Sequence, residues 1–179
     1  TGKEVKERFT DKTVNELIKA CYDMAEVKTG ALIVIEQEIR LDEYIRTGIN
    51  VDAILTSQLL INIFEHNTPL HDGAVIVRGN RVVAATCYLP LSDNMELSKQ
   101  LGTRHRAGVG ISEATDSLTI IVSEETGQVS VAEGGELSRG LNSKQLREIL
   151  VSAQNKKVVD NSKLRNLLKG RVKHEEKSD

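Results

Sequence analysis

The sequence predicts a mixed α/β domain: a central twisted sheet with parallel and antiparallel neighbours, flanked by helices. Three observations predict it. Residues 31–35 (Ala-Leu-Ile-Val-Ile) and 118–122 (Leu-Thr-Ile-Ile-Val) are short, continuous and rich in β-branched residues. That is the pattern of strands buried on both faces, which need helices above and below. Gly79-Asn80 separates the apolar runs 74–77 and 82–88, and is turn chemistry for a β-hairpin. Val14, Leu17, Ile18, Cys21 and Ala25 recur at helical spacing and give one apolar stripe.

Taken in order, Thr13-Val-Asn-Glu16 reads as a capping box opening the first helix, and Gly30 as its stop. Residues 41–46 predict a brief helical turn. Ser57 is the expected cap of a helix carrying Leu60, Ile61 and Phe64, which Asn67-Thr-Pro69 must end. After the hairpin and Pro90, the segment 91–102 is polar and irregular, with one helical turn expected around 95–101. Thr103-Arg-His-Arg106 leads into the small-residue run Ala107-Gly-Val-Gly-Ile111. Gly127 turns the chain into a strand at 129–132, Gly134-Gly135 turns it again, and Ser143 is the expected cap of a helix bearing Leu146, Ile149, Leu150 and Ala153. The expected organisation is a linker (1–12), one domain (13–153) and a lysine-rich tail (154–179), relieved by Leu164, Leu167 and Leu168.

Composition narrows the function. With 179 residues, a single core suffices without staples. A net charge of −2 argues against a protein that coats nucleic-acid phosphates, and 3% aromatic content without Trp argues against a stacking platform for single strands. Cys21 and Cys87 lie in apolar runs and read as buried free thiols. No apolar stretch is long enough to span a bilayer.

Polar residues gather at three strand ends: 71–74, 102–106 and 123–127. Asp72 beside Gly73 can hold a metal or take a hydroxyl proton where another backbone comes close, and His71 adds an imidazole nitrogen suited to a divalent ion. Arg104 and Arg106 beside the Thr103 hydroxyl make a fork for polyphosphate, and a helix starting there would aim its positive end at the same anion. Ser123, Glu124 and Glu125 add a hydroxyl and two carboxylates. There is no P-loop, no G-x-G-x-x-G after a strand and no Ser nucleophile elbow. The inventory favours phosphate handled by arginines, hydroxyls and a metal.

The clusters Asp72-Gly73-Ala74, Thr103-Arg104-His105-Arg106 and Ser123-Glu124-Glu125, in this order, resemble the diadenylate cyclase domain family, from about residue 13 to 150. Leu70-His-Asp-Gly-Ala74 and Leu101-Gly-Thr-Arg-His-Arg-Ala107 are closest to its membrane-associated branch. The resemblance implies an enzyme that joins two ATP into cyclic di-AMP with release of two pyrophosphates, as a face-to-face homodimer, using Mn²⁺ or Mg²⁺. It implies that Asp72 activates the ribose 3′-hydroxyl and binds metal, with His71 and Glu125 completing the coordination. Gly73 and Ala74 would line the nucleotide and Tyr88-Leu89 the adenine. Thr103, Arg104 and Arg106 would hold phosphates with His105 in support, and Ser123 and Glu124 would meet the phosphate tail. A start at Thr1 rather than Met fits a piece cut after a membrane anchor, so the full protein is expected at the cytoplasmic face of the membrane. Regulatory proteins there and an enzyme of cell-wall precursor synthesis are the implied partners, and nucleic acid is not one. The rival readings are a non-catalytic nucleotide-binding sensor, needing neither Asp72 nor a metal, and an interaction scaffold.

Overall fold

A computed structural model describes residues 7–155. Helix α1 (Asp11–Glu26) leads into strand β1 (Ala31–Ile35), then α2 (Asp42–Ile45), β2 (Ile49–Ile54), α3 (Ser57–Phe64), β3 (Ala74–Arg78) and β4 (Arg81–Cys87). Helix α4 (Thr103–Ala114), β5 (Leu118–Val122), β6 (Val129–Glu133), β7 (Glu136–Ser138) and α5 (Ser143–Gln154) follow. The seven strands form one sheet in the order β2-β4-β3-β1-β5-β6-β7. Only β1 and β3 pair in parallel, Ile33 opposite Val75, and the remaining pairs are antiparallel. The mixed sheet expected from the sequence is present.

Both predicted buried strands are buried at every residue. Period-two alternation divides their side chains between two cores. Ala31, Ile33 and Ile35 pack with Leu17, Leu60 and Leu146, under α1, α3 and α5. Leu32 and Val34 pack with Ala107, Val109 and Ile111 of α4 on the other face. The core is aliphatic, with Phe9 and Phe64 as its only large fully buried aromatics among the described residues. Cys21 and Cys87 are buried free thiols, as expected, and burial pushes them up to about 12 and about 11.

Several boundaries differ from the sequence reading. The first helix starts at Asp11 behind Thr10, so Thr13 lies inside it. Its hydroxyl donates to Asn80 Oδ1 at 2.7 Å, and Glu16 accepts from the Ser57 backbone N–H at 2.7 Å. Both residues of the expected capping box therefore serve tertiary contacts instead. That bond holds the Glu16 carboxyl below its ordinary range. The helix ends at Glu26, and Lys28 takes the left-handed turn expected of Gly30. Thr56, not Ser57, caps α3, accepting from Leu59 N. Asn142, not Ser143, caps α5, in a capping box with Gln145. Residues 95–101 form turns, with no helix. Strand β2, an edge strand with a bulge at Asp52, has no counterpart in the sequence reading. The leucines of the expected tail, Leu164, Leu167 and Leu168, lie outside the described residues.

The β3–β4 turn marks one end of the sheet. There Asn80 Oδ1 accepts from Thr10 N, and the buried Gln154 amide donates to Phe9 O and Asp11 Oδ1. At the same end Arg78 bridges Glu36 and Asp42, and Arg40 and Arg78 together hold the Asp42 carboxyl down to about 2. The opposite end carries the polar clusters.

Candidate nucleotide and metal site

Strand direction explains how distant segments meet. The parallel pair puts the starts of β1 and β3 side by side, and antiparallel pairing puts the ends of β4 and β5 next to them, with Cys87 opposite Ala74 and Val122 opposite Ala31. One sheet end therefore presents, in lateral order, Tyr88-Leu89, Asp72-Gly73, Gly30 and Ser123-Glu124-Glu125. All three sequence clusters share this end.

Helix α4 starts over it. Its N-cap is Gly102, which offers no side-chain acceptor, so the first backbone N–H groups are left for a ligand. They open into a groove of about 150 Å³ with Thr103, Arg104, His105, Ser123, Glu124, Glu125, Thr126, Gln128 and Arg139 on its walls. Arg106, one position on, is outside this lining and half-buried, and its carbonyl accepts from Ser92 N. Arg104 Nη1 donates to Glu124 Oε2 at 2.8 Å. Glu124, expected to meet the phosphate tail, is here the counter-ion of the arginine that would hold phosphate. The guanidinium lies against Gly30, where an added Cβ would sit 2.7 Å from Nη1. Gly30, read from sequence as a helix stop, instead makes room for Arg104. Gly30→Ala is expected to displace the guanidinium and lower turnover by up to ~10²-fold, the cost of about 1 Å of misplacement, with thermal stability little changed. Turnover within twofold of wild type in steady-state assays would refute this role.

Ser123 caps the hairpin tip: its Oγ accepts from Glu125 N and Thr126 N, each at 3.2 Å. Its acceptor capacity is engaged, so its O–H proton is the group left to offer an anion. His105 is 8% exposed. Burial, then the charges of Arg139 and Arg104, lower its pKa, while Glu125 opposes them. The native state thus favours neutral His105, while the unfolded chain protonates it near pH ~6.5. Stability is therefore expected to rise as pH increases through the window from the lowered native value to ~6.5. Urea melts between pH 5 and 7.5 should show this slope in wild type and a shallower one in His105→Gln, and equal slopes would contradict it.

Asp72 lies outside the groove, across β1, and its side chain is 85% exposed. Gly73 has φ of 76°, and a Cβ there would meet the Cys87 carbonyl and Thr86 backbone at 2.9 Å. Only glycine fits this close crossing. Ala74 is fully buried at the start of β3, so it does not line an open surface as the sequence reading expected. Extra residues in β4 bulge it against β3, Thr86 takes a left-handed φ of 53°, and Tyr88 beyond the bulge is 75% exposed. Leu89 is half-buried beside it.

The residues around Asp72 suit a divalent cation. His71 Nδ1 lies 2.6 Å from the Thr68 carbonyl, which assigns the ring proton to Nδ1. Nε2 then lies 3.2 Å from Asp72 Oδ1, a nitrogen and a carboxylate oxygen close enough together to share a divalent cation. Among the described residues no three His, Cys, Asp or Glu side chains converge as a metal cluster, so within one chain Glu125 is not drawn to this pair. Sequence reasoning missed Arg139, Gln128 and Gly30. Ser138-Arg139-Gly140 does place a cation beside glycine at a strand end, the same signal that marked residues 102–106.

An α/β domain that lines one sheet end with an uncapped helix start, arginines, a serine hydroxyl and a His–Asp pair offers the donors that suit a phosphorylated ligand. Residues 18–137 match the family described as DisA bacterial checkpoint controller nucleotide-binding, and the chain belongs to this diadenylate cyclase (DAC) domain family. It is 53% identical over 165 residues to the cyclic di-AMP synthase CdaA of Bacillus subtilis, covering 92% of this chain and 60% of that protein. It is also 53% identical over 145 residues to a diadenylate cyclase of Listeria monocytogenes, covering 81% of this chain and 53% of that protein. The chain thus spans little more than half the length of these relatives. The crystal structure of a double mutant of DacA from Staphylococcus aureus matches with a TM-score of 0.79 at 49% identity, covering 80% of this chain and 96% of that one. A hypothetical membrane spanning protein from Bacillus cereus matches with a TM-score of 0.71 at 42% identity, covering 75% and 65%. Among the described residues no helix is long and apolar enough to cross a membrane.

Proposed function

We propose that this chain is a diadenylate cyclase, a nucleotidyltransferase that condenses two ATP into cyclic di-AMP and two pyrophosphates. The observation that carries the reading is the division of the sheet end: a phosphate groove on one side of β1, and on the other an exposed carboxylate beside His71. A single-chain hydrolase would enclose such a carboxylate with its phosphate. An exposed one suits a half-site that closes against a second copy.

ATP would lie along the sheet end, adenine by Tyr88 and Leu89, ribose over Gly73, and triphosphate at the start of α4. Thr103, Arg104 and the α4 N–H groups bind its oxygens, Ser123 donates its free proton, and Arg106 and neutral His105 support them. Asp72 takes the proton of the 3′-hydroxyl, whose oxygen attacks the α-phosphorus of the facing ATP in line, and pyrophosphate leaves. A second attack in the opposite sense closes the ring. Because each nucleotide is both attacker and target, two copies related by a two-fold axis meet both demands with one set of residues. His71, Asp72 and Glu125 are the side chains that would hold Mn²⁺ or Mg²⁺. When bound, the ion neutralises phosphate charge and lowers the pKa of the attacking hydroxyl.

The likeness to CdaA and to a membrane-spanning relative supports a full-length protein at the cytoplasmic face of the membrane, where regulatory partners and a cell-wall precursor enzyme would meet it. The test is product analysis by mass spectrometry after incubation with ATP and Mg²⁺ or Mn²⁺. Cyclic di-AMP with two pyrophosphates per product is expected. ATP binding without either product would instead establish the sensor reading.

A further inference from the structure

Arg139 has no role in the scheme above, yet it lines the same groove as Arg104. Its position is fixed by the sheet: β7 pairs with β6 at Ser138 opposite Val131, and Leu141 N then bonds Val129 O at 2.9 Å. The chain between them runs back to the end of the sheet that holds Ser123 and Gln128. From β5 to β7 is two strand spacings, roughly 10 Å, within reach of a guanidinium on its three-carbon stem.

The charges in the groove leave a need that Arg139 meets. Arg104 is bonded to Glu124, and Glu125 adds a second carboxylate. Arg139 makes no ion pair among the described residues. Its charge nonetheless reaches into the site, opposing protonation of buried His105 ahead of that of Arg104. A triphosphate laid along the sheet end has its ribose and α-phosphorus toward Asp72, just before β3. Its β- and γ-phosphates then extend the other way, past β5 and β6 toward β7.

We propose that Arg139 binds the β- and γ-phosphates of the nucleotide, and then the pyrophosphate that departs. The proposal rests on the reading of this end of the sheet as the ATP site. In the transfer step the 3′-oxygen bonds to the α-phosphorus, and the bond from that phosphorus to the β-bridging oxygen breaks. The electron pair leaves with pyrophosphate, and the 3′-proton passes to Asp72. Charge grows on the bridging oxygen as it leaves, beside the phosphates that Arg139 holds, so the residue serves departure as well as binding.

Binding of ATP, inorganic pyrophosphate and AMP to wild type, Arg139→Gln and Arg139→Lys, measured by calorimetry with melting curves as the folding control, separates the possibilities. Arg139→Gln should weaken ATP and pyrophosphate about tenfold each and leave AMP within about twofold, since only the first two carry the phosphates in question. Arg139→Lys should recover part of the loss. Unchanged ATP and pyrophosphate affinity in Arg139→Gln overturns the proposal, and so does an equal loss for AMP. Wild type that binds all three with this pattern but forms no cyclic di-AMP leaves Arg139 assigned and the cyclase reading refuted. Cyclic di-AMP formation that is indifferent to Arg139→Gln, with ATP affinity intact, does the reverse.

Discussion

Asp72→Asn is expected to reduce cyclic di-AMP formation by roughly 10²–10⁴-fold while leaving the melting temperature and ATP affinity close to wild type. The side chain is exposed, and its recorded contact is with His71, so replacement removes almost no packing. An Asn amide can still hydrogen-bond His71 Nε2 through its N–H or its carbonyl oxygen. The fold is therefore safe, while the base is gone. Turnover near wild type in the presence of Mn²⁺ would remove Asp72 from the mechanism.

The second large effect concerns stoichiometry. If each chain holds one ATP, the rate per subunit should fall in proportion to concentration once the protein is diluted well below its dimer dissociation constant. A mixture sharpens the test. With Asp72→Asn in large excess, nearly every wild-type chain pairs with a variant, and only one of the two attacks has its base. Such pairs should accumulate the linear dinucleotide, which still carries a 5′-triphosphate, with one pyrophosphate released per molecule. Chromatography of the products distinguishes it from the ring. A rate per subunit independent of dilution, or ring formation undiminished by excess variant, would show that one chain suffices.

Much of this architecture is legible in the residues, for local reasons. The runs at 31–35 and 118–122 are strands because continuous β-branched apolar sequence has no other comfortable environment, and Gly79-Asn80 turns where its chemistry requires. What local reading misplaces is set by distant partners. Thr13 and Glu16 fit a capping box, yet Asn80 and the start of α3 claim them from across the fold. Gly30 looks like a helix stop, but what it needs is the absence of a Cβ beneath Arg104, and only the packing of α4 on the sheet reveals that. Strand β2 has alternating, half-exposed residues and a bulge, too weak a pattern to stand out. The three polar clusters can be picked out as motifs, but their lateral order cannot, because it depends on β1 pairing in parallel with β3 and antiparallel with β5. The pairing of Arg104 with Glu124, and the arrival of Arg139 in the groove, follow from that order.

The bonds from Thr10 N to Asn80 Oδ1 and from Arg8 N to the Gln154 carbonyl have a consequence for how the domain can be held. They gather both termini of the described chain at the pole of the sheet farthest from Asp72 and Arg104. A tether joined there meets the domain at the pole opposite Asp72 and Arg104. Two tethered copies can then meet head to head without their attachments standing between them.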